Sequence, residues 1–347
     1  AIGLGIGASM TMISVQYAMG SNPIPHKSEQ LFYVQLDSWD PNDPYKEPNE
    51  PPDQLTWLDA TALLKNDNAF RHNASSKTVM VIEPEGQDVT PFMAAGRGNL
   101  ADFFPMFDTP FLFGSGWDKT ADNNLEMVTV LSKATNEKLF GGQNSVGNYT
   151  RIGGNNYKVV GVLDDWNPSP KFYDVTNGAF EEAEEFYIPF NLIASLELPR
   201  AGNTSCWKPS GGEGFQAFLQ SECIWIQYWV ELPTEDDKQA YSAFLNNYTD
   251  QQKSLGRFPR PSNNRLSNVM ELMESQQVVQ EDIQVLVGLS LMFLLVCLLN
   301  TIGLLLAKFL GKAPEIGLRR AVGASKATLF LQHLVEAGLI GIAGGIL

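Results

Sequence analysis

"MVTVLSKATNEKLFGGQNSVGNYTRIGGNNYKVVGVL" (Met127–Leu163) reads as strand, helix and hairpin in succession. Met127–Leu131 is a short apolar run of strand type. Ser132 can cap a helix over Lys133–Phe140, which Gly141-Gly142 would end. Tyr149–Ile152 and Tyr157–Leu163 are strands around "GGNN", a hairpin signal. Mixed elements at this density predict an α+β architecture.

Working outward, "LFYVQLDSW" (Leu31–Trp39) alternates as a strand does, and "DPNDPYKEPNEPPD" after it cannot be regular structure. Leu55–Lys65 fits an amphipathic helix and "KTVMVIEP" (Lys77–Pro84) a second strand, which makes a βαβ-type unit. A similar order recurs late. "CIWIQYWVEL" (Cys223–Leu232) is a strong strand, and Thr234 followed by acids caps a helix ending near Gly256. "NRLSNVMELMES" then enters a helix expected to continue into the next apolar segment. Two such half-units far apart in the chain predict one subdomain interrupted by a β-rich insertion. "EEFYIPFNLI" adds a further strand to that insertion. Trp225, Tyr228 and Trp229 suit a buried strand face better than a binding surface.

Three segments are long enough to cross a bilayer, at about 20 apolar residues each. They are Ala1 to about Met19, Ile283–Ala307 and Ala327–Leu347, the last interrupted by Glu336. The first lacks a basic flank, so it reads as the remainder of a transmembrane helix and not as a signal peptide. The chain of 347 residues has a net charge of −15, yet the short loop Lys308–Lys326 holds five basic residues against Glu315 alone. The positive-inside rule places that loop in the cytoplasm and residues 26 to 282 on the opposite side. The latter region carries 19 of the 24 Lys+Arg and 37 of the 39 Asp+Glu, a net −18, which argues against nucleic acid as a partner. Cys206 and Cys223 lie in it. An oxidising compartment would let them pair, and the alternative is two buried thiols.

Catalytic motifs are missing. "FLGKAPE" lacks the pattern of a phosphate-binding loop, and His26, His72 and His333 have no metal-ligand spacing. The acidic runs Glu181–Glu185 and Glu235–Asp237 read as a solvated helix face or a helix start, so no enzymatic activity is expected of this chain. Glu336 lies nine residues into its segment, roughly 14 Å along a helix, where it either pairs with Gln332, His333 or Asn300 or sits near the interface.

The basic loop has shape as well as charge. In "KAPEIGLRRAVGAS" (Lys312–Ser325), Pro314 suits the first turn of a short helix and Gly323 its end. Glu315 and Arg319 stand at i, i+4, while Ile316, Leu318 and Val322 supply apolar contacts.

This stretch resembles the signature of the MacB/FtsX-like ABC-transporter permease family, matching at Glu315, Ile316, Gly317, Leu318, Arg319, Arg320, Ala321, Gly323 and Ser325. "LFLQHLVEAGLIGIAGG" is similar to the family's next helix, including Gln332 and Glu336, and the stretch quoted first is similar to its MacB-type periplasmic core. The Pro-rich insertion at residues 40–53 and the Cys206–Cys223 segment depart from the pattern.

The resemblance implies the following layout. Residues 1–25 end a first transmembrane helix. Residues 26–88 and 215–275 form a Porter-like lobe, and 89–214 an inserted Sabre-like lobe. Residues 276–310 make a second transmembrane helix with a periplasmic extension, 311–326 a cytoplasmic coupling helix, and 327–347 a third transmembrane helix. It further implies a dimer with a second copy or a paralogue, and an ABC ATPase partner that binds ATP and Mg²⁺. The chain would sit in the inner membrane of a bacterium with its large domain in the periplasm, and a periplasmic adaptor and an outer-membrane channel would be further partners. Glu315, Ile316, Gly317, Leu318, Arg319, Arg320 and Gly323 would couple to the ATPase. The expected function is a permease driving export of a peptide, antibiotic or lipoprotein-type substrate. The alternative is an FtsX-like regulator of a cell-envelope enzyme without cargo.

Overall fold

The structure, a computed structural model, describes residues 2–66, 69–84, 90–279 and 281–346. The expected lobe boundary at 88/89 and the chain's two end residues lie outside them. Strands in chain order are β1 (Leu31–Gln35), β2 (Leu55–Thr56), β3 (Arg71–Glu83), β4 (Phe92–Asn99), β5 (Phe111–Gly114), β6 (Val128–Leu131), β7 (Tyr149–Ile152), β8 (Asn155–Leu163), β9 (Phe186–Pro189), β10 (Ile224–Glu231) and β11 (Arg265–Asn268). Helices are α1 (Ile2–Gly20), α2 (Trp57–Leu64), α3 (Phe103–Met106), α4 (Lys119–Asn124), α5 (Lys133–Phe140), α6 (Asn191–Ser195), α7 (Gly214–Leu219), α8 (Glu235–Ser254), α9 (Val269–Ser275), α10 (Glu281–Gly311), α11 (Ala313–Ala321) and α12 (Lys326–Ile346). Residues 22–278 form one compact unit, and residues 1–21 with 279–347 another.

The larger unit is built on one mixed sheet of order β11-β1-β10-β3-β4-β9-β6-β8-β5. Its first four strands pair antiparallel, so β1 and β3 run parallel on either side of β10. Helix α2 joins them. In the same way β10 and β11 flank β1 and are joined by α8. These are two interlocked split βαβ units, which explains why the strand–helix–strand order occurs twice in the sequence. Everything between β3 and β10 extends the sheet beyond them.

Strand β3 links the two parts. Its first residues pair with β10 (Arg71↔Glu231 to Ser75↔Gln227) and its later ones with β4 (Ser76↔Gly98 to Ile82↔Phe92). It therefore begins at Arg71, six residues before the sequence pattern suggested. The polar start "RHNASS" hid it, although Asn73, Ser75 and Ser76 are buried.

Alternation along the central strands sends side chains into two cores. Phe32, Val34, Ile226, Tyr228 and Val230 pack under α2 and α8 with Leu63, Tyr241 and Leu245. Leu31, Tyr33 and Trp229 face the other way, onto Phe107, Tyr173 and Leu272. Trp225, Tyr228 and Trp229 are thus core residues.

The opening stretch folds as read. Ser132 Oγ accepts from Thr135 N, and Gly141 closes α5 in the left-handed conformation. Gly153 and Gly154 take φ +55° and +82° between β7 and β8, the two positive angles of a type I′ turn. Strand β4 was not legible, because "FMAAGRGN" has little strand propensity. Its Gly96 faces Phe186 of β9 so closely that a Cβ would lie 2.1 Å from the ring.

The helix expected to run unbroken from residue 265 is interrupted. β11 pairs with β1, α9 follows, and the chain turns after Ser275 with Gln277 at φ +49° before α10 starts at Glu281. Pairing with the open edge of β1 recruits "RLSN" into the sheet and overrides its local pattern.

In the smaller unit, α1 packs on α10 through small residues. Gly5 rests against Leu294, and Ser9 Oγ donates to Ser290 O at 3.0 Å. Among the described residues two helices, Ile2–Gly20 and Ile283–Gly311, are long and apolar enough to cross a membrane. The third expected segment forms α12, whose apolar run is broken by Gln332, His333 and Glu336, and is not one of these two.

Candidate functional site

The basic loop folds as α11 between α10 and α12. Pro314 stands in its first turn with Glu315, and Arg319 and Arg320 stand in its last. Acid at the start and base at the end both oppose the helix dipole. Gly323, at φ +104°, turns the chain so that Ala324 N donates to Arg319 O at 3.0 Å. Ser325 Oγ then accepts from Thr328 N at 3.1 Å and starts α12.

Two polar clusters fix this helix to its neighbours. Arg319 donates to Glu315 Oε1 at 2.7 Å and to Gln332 Oε1 of α12 at 3.2 Å. Glu336 receives Lys308 at 2.7 Å and Lys312 at 3.1 Å, with His333 Nδ1 at 3.5 Å. It is one-third exposed. The end of α10, the start of α11 and the end of the third turn of α12 thus meet on one carboxylate. Asn300 is exposed and is not among its partners, so that expected pairing does not form.

None of α11 is buried. Leu318 and Val322 are 67% and 83% exposed, and a Cβ on Gly317 would touch nothing. On a helical wheel Pro314, Leu318 and Val322 follow one another at i, i+4 and i+8. They form a bare apolar strip that runs beside the Glu315–Arg319 pair. Half-exposed ion pairs of this kind contribute only about 0.3–0.5 kcal/mol each, so their effect is to orient the helix more than to stabilise it. Ile316 is half-buried, and Arg320 makes none of these contacts. Nothing here supports acid–base or nucleophilic chemistry. Among the described residues no cluster could hold a metal ion.

Sequence reasoning missed the strongest electrostatics of the larger unit. The run Glu181–Glu185 is neither a helix nor solvated throughout. Glu184 is fully buried, and Arg97 Nε and Nη2 donate to its Oε1 at 3.0 and 2.7 Å. Arg97 also donates to Asp174 and to Ser75 Oγ. Lys171 lies 2.9 Å from Glu184, and Tyr173 OH donates to its Oε2. Burial alone would raise the Glu184 pKa, but Arg97 and Lys171 outweigh it and hold the carboxyl well below the usual range. At Asp174 burial wins over Arg97, and its pKa is raised. The legible hint was Arg97 itself, a lone cation amid alanines and glycines. The run Glu235–Asp237 does start a helix, through a capping box between Thr234 and Asp237.

Cys206 and Cys223 form a disulfide. Beside it Glu222 and Asp59 both accept from Arg257, at 2.8 to 2.9 Å, which ties α2 and the segment after α8 to the start of β10.

Comparison with known proteins gives these likenesses. The model of the MacB-like periplasmic core domain matches residues 1–247, and that of the FtsX-like permease C-terminal region matches residues 287–347. The chain is 24% identical over 254 residues to the pyoverdine export ATP-binding/permease protein PvdT of Pseudomonas syringae pv. syringae, 72% of this chain and 33% of that protein. It is 20% identical over 240 residues to the macrolide export ATP-binding/permease protein MacB of Bdellovibrio bacteriovorus, 68% of this chain and 32% of that protein. The chain spans about a third of the length of the curated relatives it matches. Among solved structures it is similar to the periplasmic region of MacB from Actinobacillus actinomycetemcomitans, with a TM-score of 0.45 and 14% identity over 73% of this chain and 94% of that one. A second is the extracellular domain of the ABC-type transporter YknZ from Gram-positive bacteria, with a TM-score of 0.41 and 16% identity over 69% and 100%.

Proposed function

Since the chain belongs to the family with a MacB-like periplasmic core domain and an FtsX-like permease region, we propose that it is the permease part of an ABC exporter. Helix α11 receives the motion of an ABC ATPase that binds ATP and Mg²⁺. The unit of residues 22–278 works on an export substrate on the far side of the membrane. Two copies, or this chain and a paralogue, would form the working assembly in the inner membrane, with a periplasmic adaptor and an outer-membrane channel beyond. A peptide, antibiotic or lipoprotein-type molecule is the substrate class in this reading, and the chain itself carries no enzymatic activity.

The observation that carries this reading is α11. Arg319 is anchored to α12 through Gln332, while Leu318 and Val322 stand bare beside it. A helix that is tethered by its arginine and presents a bare apolar strip fits the helix-in-groove mode of recognition. The basic loop supports a cytoplasmic position for α11.

Co-purification of the full chain with its ATPase tests the proposal. Arg319→Glu with Arg320→Glu reverses two charges, and Leu318→Glu places a charge on the apolar face. Each variant is expected to lower ATPase retention by about tenfold or more, the loss of about 1.4 kcal/mol or more. Retention unchanged in both variants would overturn the docking role.

A further inference from the structure

We propose that the larger unit contains a binding site for a small organic ammonium with an aromatic or similar apolar body. The site is the cleft of about 640 Å³ between α3 and the segment leading into α4. The cleft is broad and open to solvent on one side.

The floor is aromatic. Phe104 meets Trp117 edge-on at 4.8 Å and Phe111 at 5.5 Å. Gly116 lets the backbone close on this floor, since a Cβ there would lie 2.3 Å from the Phe104 ring. The rim is acidic, with Asp102, Asp108 and Asp118 against Lys119. Two of these carboxylates are committed elsewhere. Asp108 holds His26 at 2.6 Å and Lys27 at 2.8 Å, and Asp118 accepts from Ala121 N as the cap of α4.

Asp102 is different. It accepts weakly from His72 N at 3.4 Å and faces the ammonium of Lys119 at 3.2 Å. Asp102 is 11% exposed, whereas Lys119 is 62% exposed and stands at the first position of its helix. An ammonium therefore already occupies the position on Asp102, delivered by a side chain mostly in solvent. Because the cationic end of this pair is solvated, one ammonium can exchange for another there at little cost. The Asp102–Lys119 pair also bounds a second, smaller hollow of about 130 Å³ over Leu64, Leu100 and Asp122. Aromatic faces beside a buried carboxylate attract cations, and the net −18 of this region concentrates them. The ligand's ammonium would replace Lys119 on Asp102, and its apolar body would lie against half-buried Phe111 and the exposed edges of Phe104 and Trp117.

The site is separate from α11, and its test reads binding alone, so it fails or holds independently of the exporter reading. Phenethylammonium and the neutral phenethyl alcohol are titrated by calorimetry into the full chain in nonionic detergent. The amine is expected to bind about tenfold more tightly than the alcohol, the worth of one charge-assisted hydrogen bond. Asp102→Asn should remove that difference. Lys119→Met removes the tethered competitor and should tighten amine binding about threefold. Lys119→Met is a surface change, so it keeps the test decisive should Asp102→Asn lose its fold. Equal binding of amine and alcohol, or amine binding that Lys119→Met leaves unchanged, would overturn the site. Amine binding absent up to about 10 mM would do the same.

Discussion

Replacing Arg97 with methionine probes the buried charge cluster at its centre. Methionine keeps an unbranched apolar side chain of similar reach and deletes the guanidinium. Arg97 and its partners Asp174 and Glu184 have no exposed side-chain surface, and Lys171 has almost none. The wild-type cluster is balanced, with two cations against two carboxylates. Without Arg97, only Lys171 remains against both. Removal of one partner from a buried pair costs about 3–5 kcal/mol, because a desolvated charge is left uncompensated. About 4 kcal/mol corresponds to a fall in melting temperature of roughly 8–16 °C for a unit of this size.

The second variant adds Asp174→Asn. Asp174 loses most when Arg97 goes, because its carboxyl already titrates above the usual range through burial. Neutralising it leaves the Lys171–Glu184 pair at 2.9 Å intact and should restore about 2 kcal/mol of the loss. Thermal unfolding of the full chain in detergent measures both. Trp166, stacked on Tyr173 at 5.1 Å, reports the environment of the cluster by fluorescence. A loss under about 1 kcal/mol for Arg97→Met would refute the reasoning. So would a double variant less stable than the single one.

Two further outcomes follow from the larger unit. Burial pushes the Asp122 carboxyl up to about 6, helped by Asp102 and Asp118, while hydrogen bonds from Ala101 N and Trp117 Nε1 pull it down. A raised folded-state value means the contribution is complete below the unfolded value and is lost as pH rises through about 6. Wild-type stability should therefore drop by about 2–3 kcal/mol at this site between about pH 4 and pH 7, and Asp122→Asn should flatten the melting-temperature profile in that window. Parallel profiles would exclude the effect. The Cys206–Cys223 bridge closes a loop with a separation of 17. Its double serine variant, or treatment with a reductant, should cost about 3 kcal/mol, and calorimetric melting of oxidised and reduced protein checks this.

How far the sequence spoke depends on whether structure came from local pattern or from distant partners. The hairpin β7–β8, helix α5 with its caps and helix α8 were legible because a few adjacent residues specify each of them. The two βαβ-type halves were legible as order, but their interlocking was not, since strand pairing across 152 to 236 residues leaves no local mark. β4 and the first half of β3 were illegible for a related reason. Their polar and small residues are buried by what packs on them, including the Arg97 cluster, and propensity says nothing of that. The α11 motif was fully legible as a helix with an i, i+4 pair. The convergence of Lys308, Lys312 and His333 on Glu336 was not, because it needs three helices to be placed at once.

The proposed mechanical role places one demand on the fold, which concerns how the two chain links enter the unit of residues 22–278. The start of β1 pairs with the end of β11, Phe32 opposite Asn268. Just outside that pair, Val269 N donates to Ser28 O at 3.5 Å and Asn268 Nδ2 to Glu29 Oε2 at 3.1 Å. Asn268 also caps α9 in a reciprocal box with Glu271. Both links are therefore fastened to each other before either reaches the sheet. A force arriving along one of them is shared with the other and reaches β1 and β11 as a displacement of the paired edge. It cannot draw the two strands apart without breaking four backbone registers and the cap. Beyond the cap the chain leaves α9 through Gln277 at φ +49°, and Val278 N donates to Met273 O at 3.0 Å, so the turn after Ser275 is itself tied to α9.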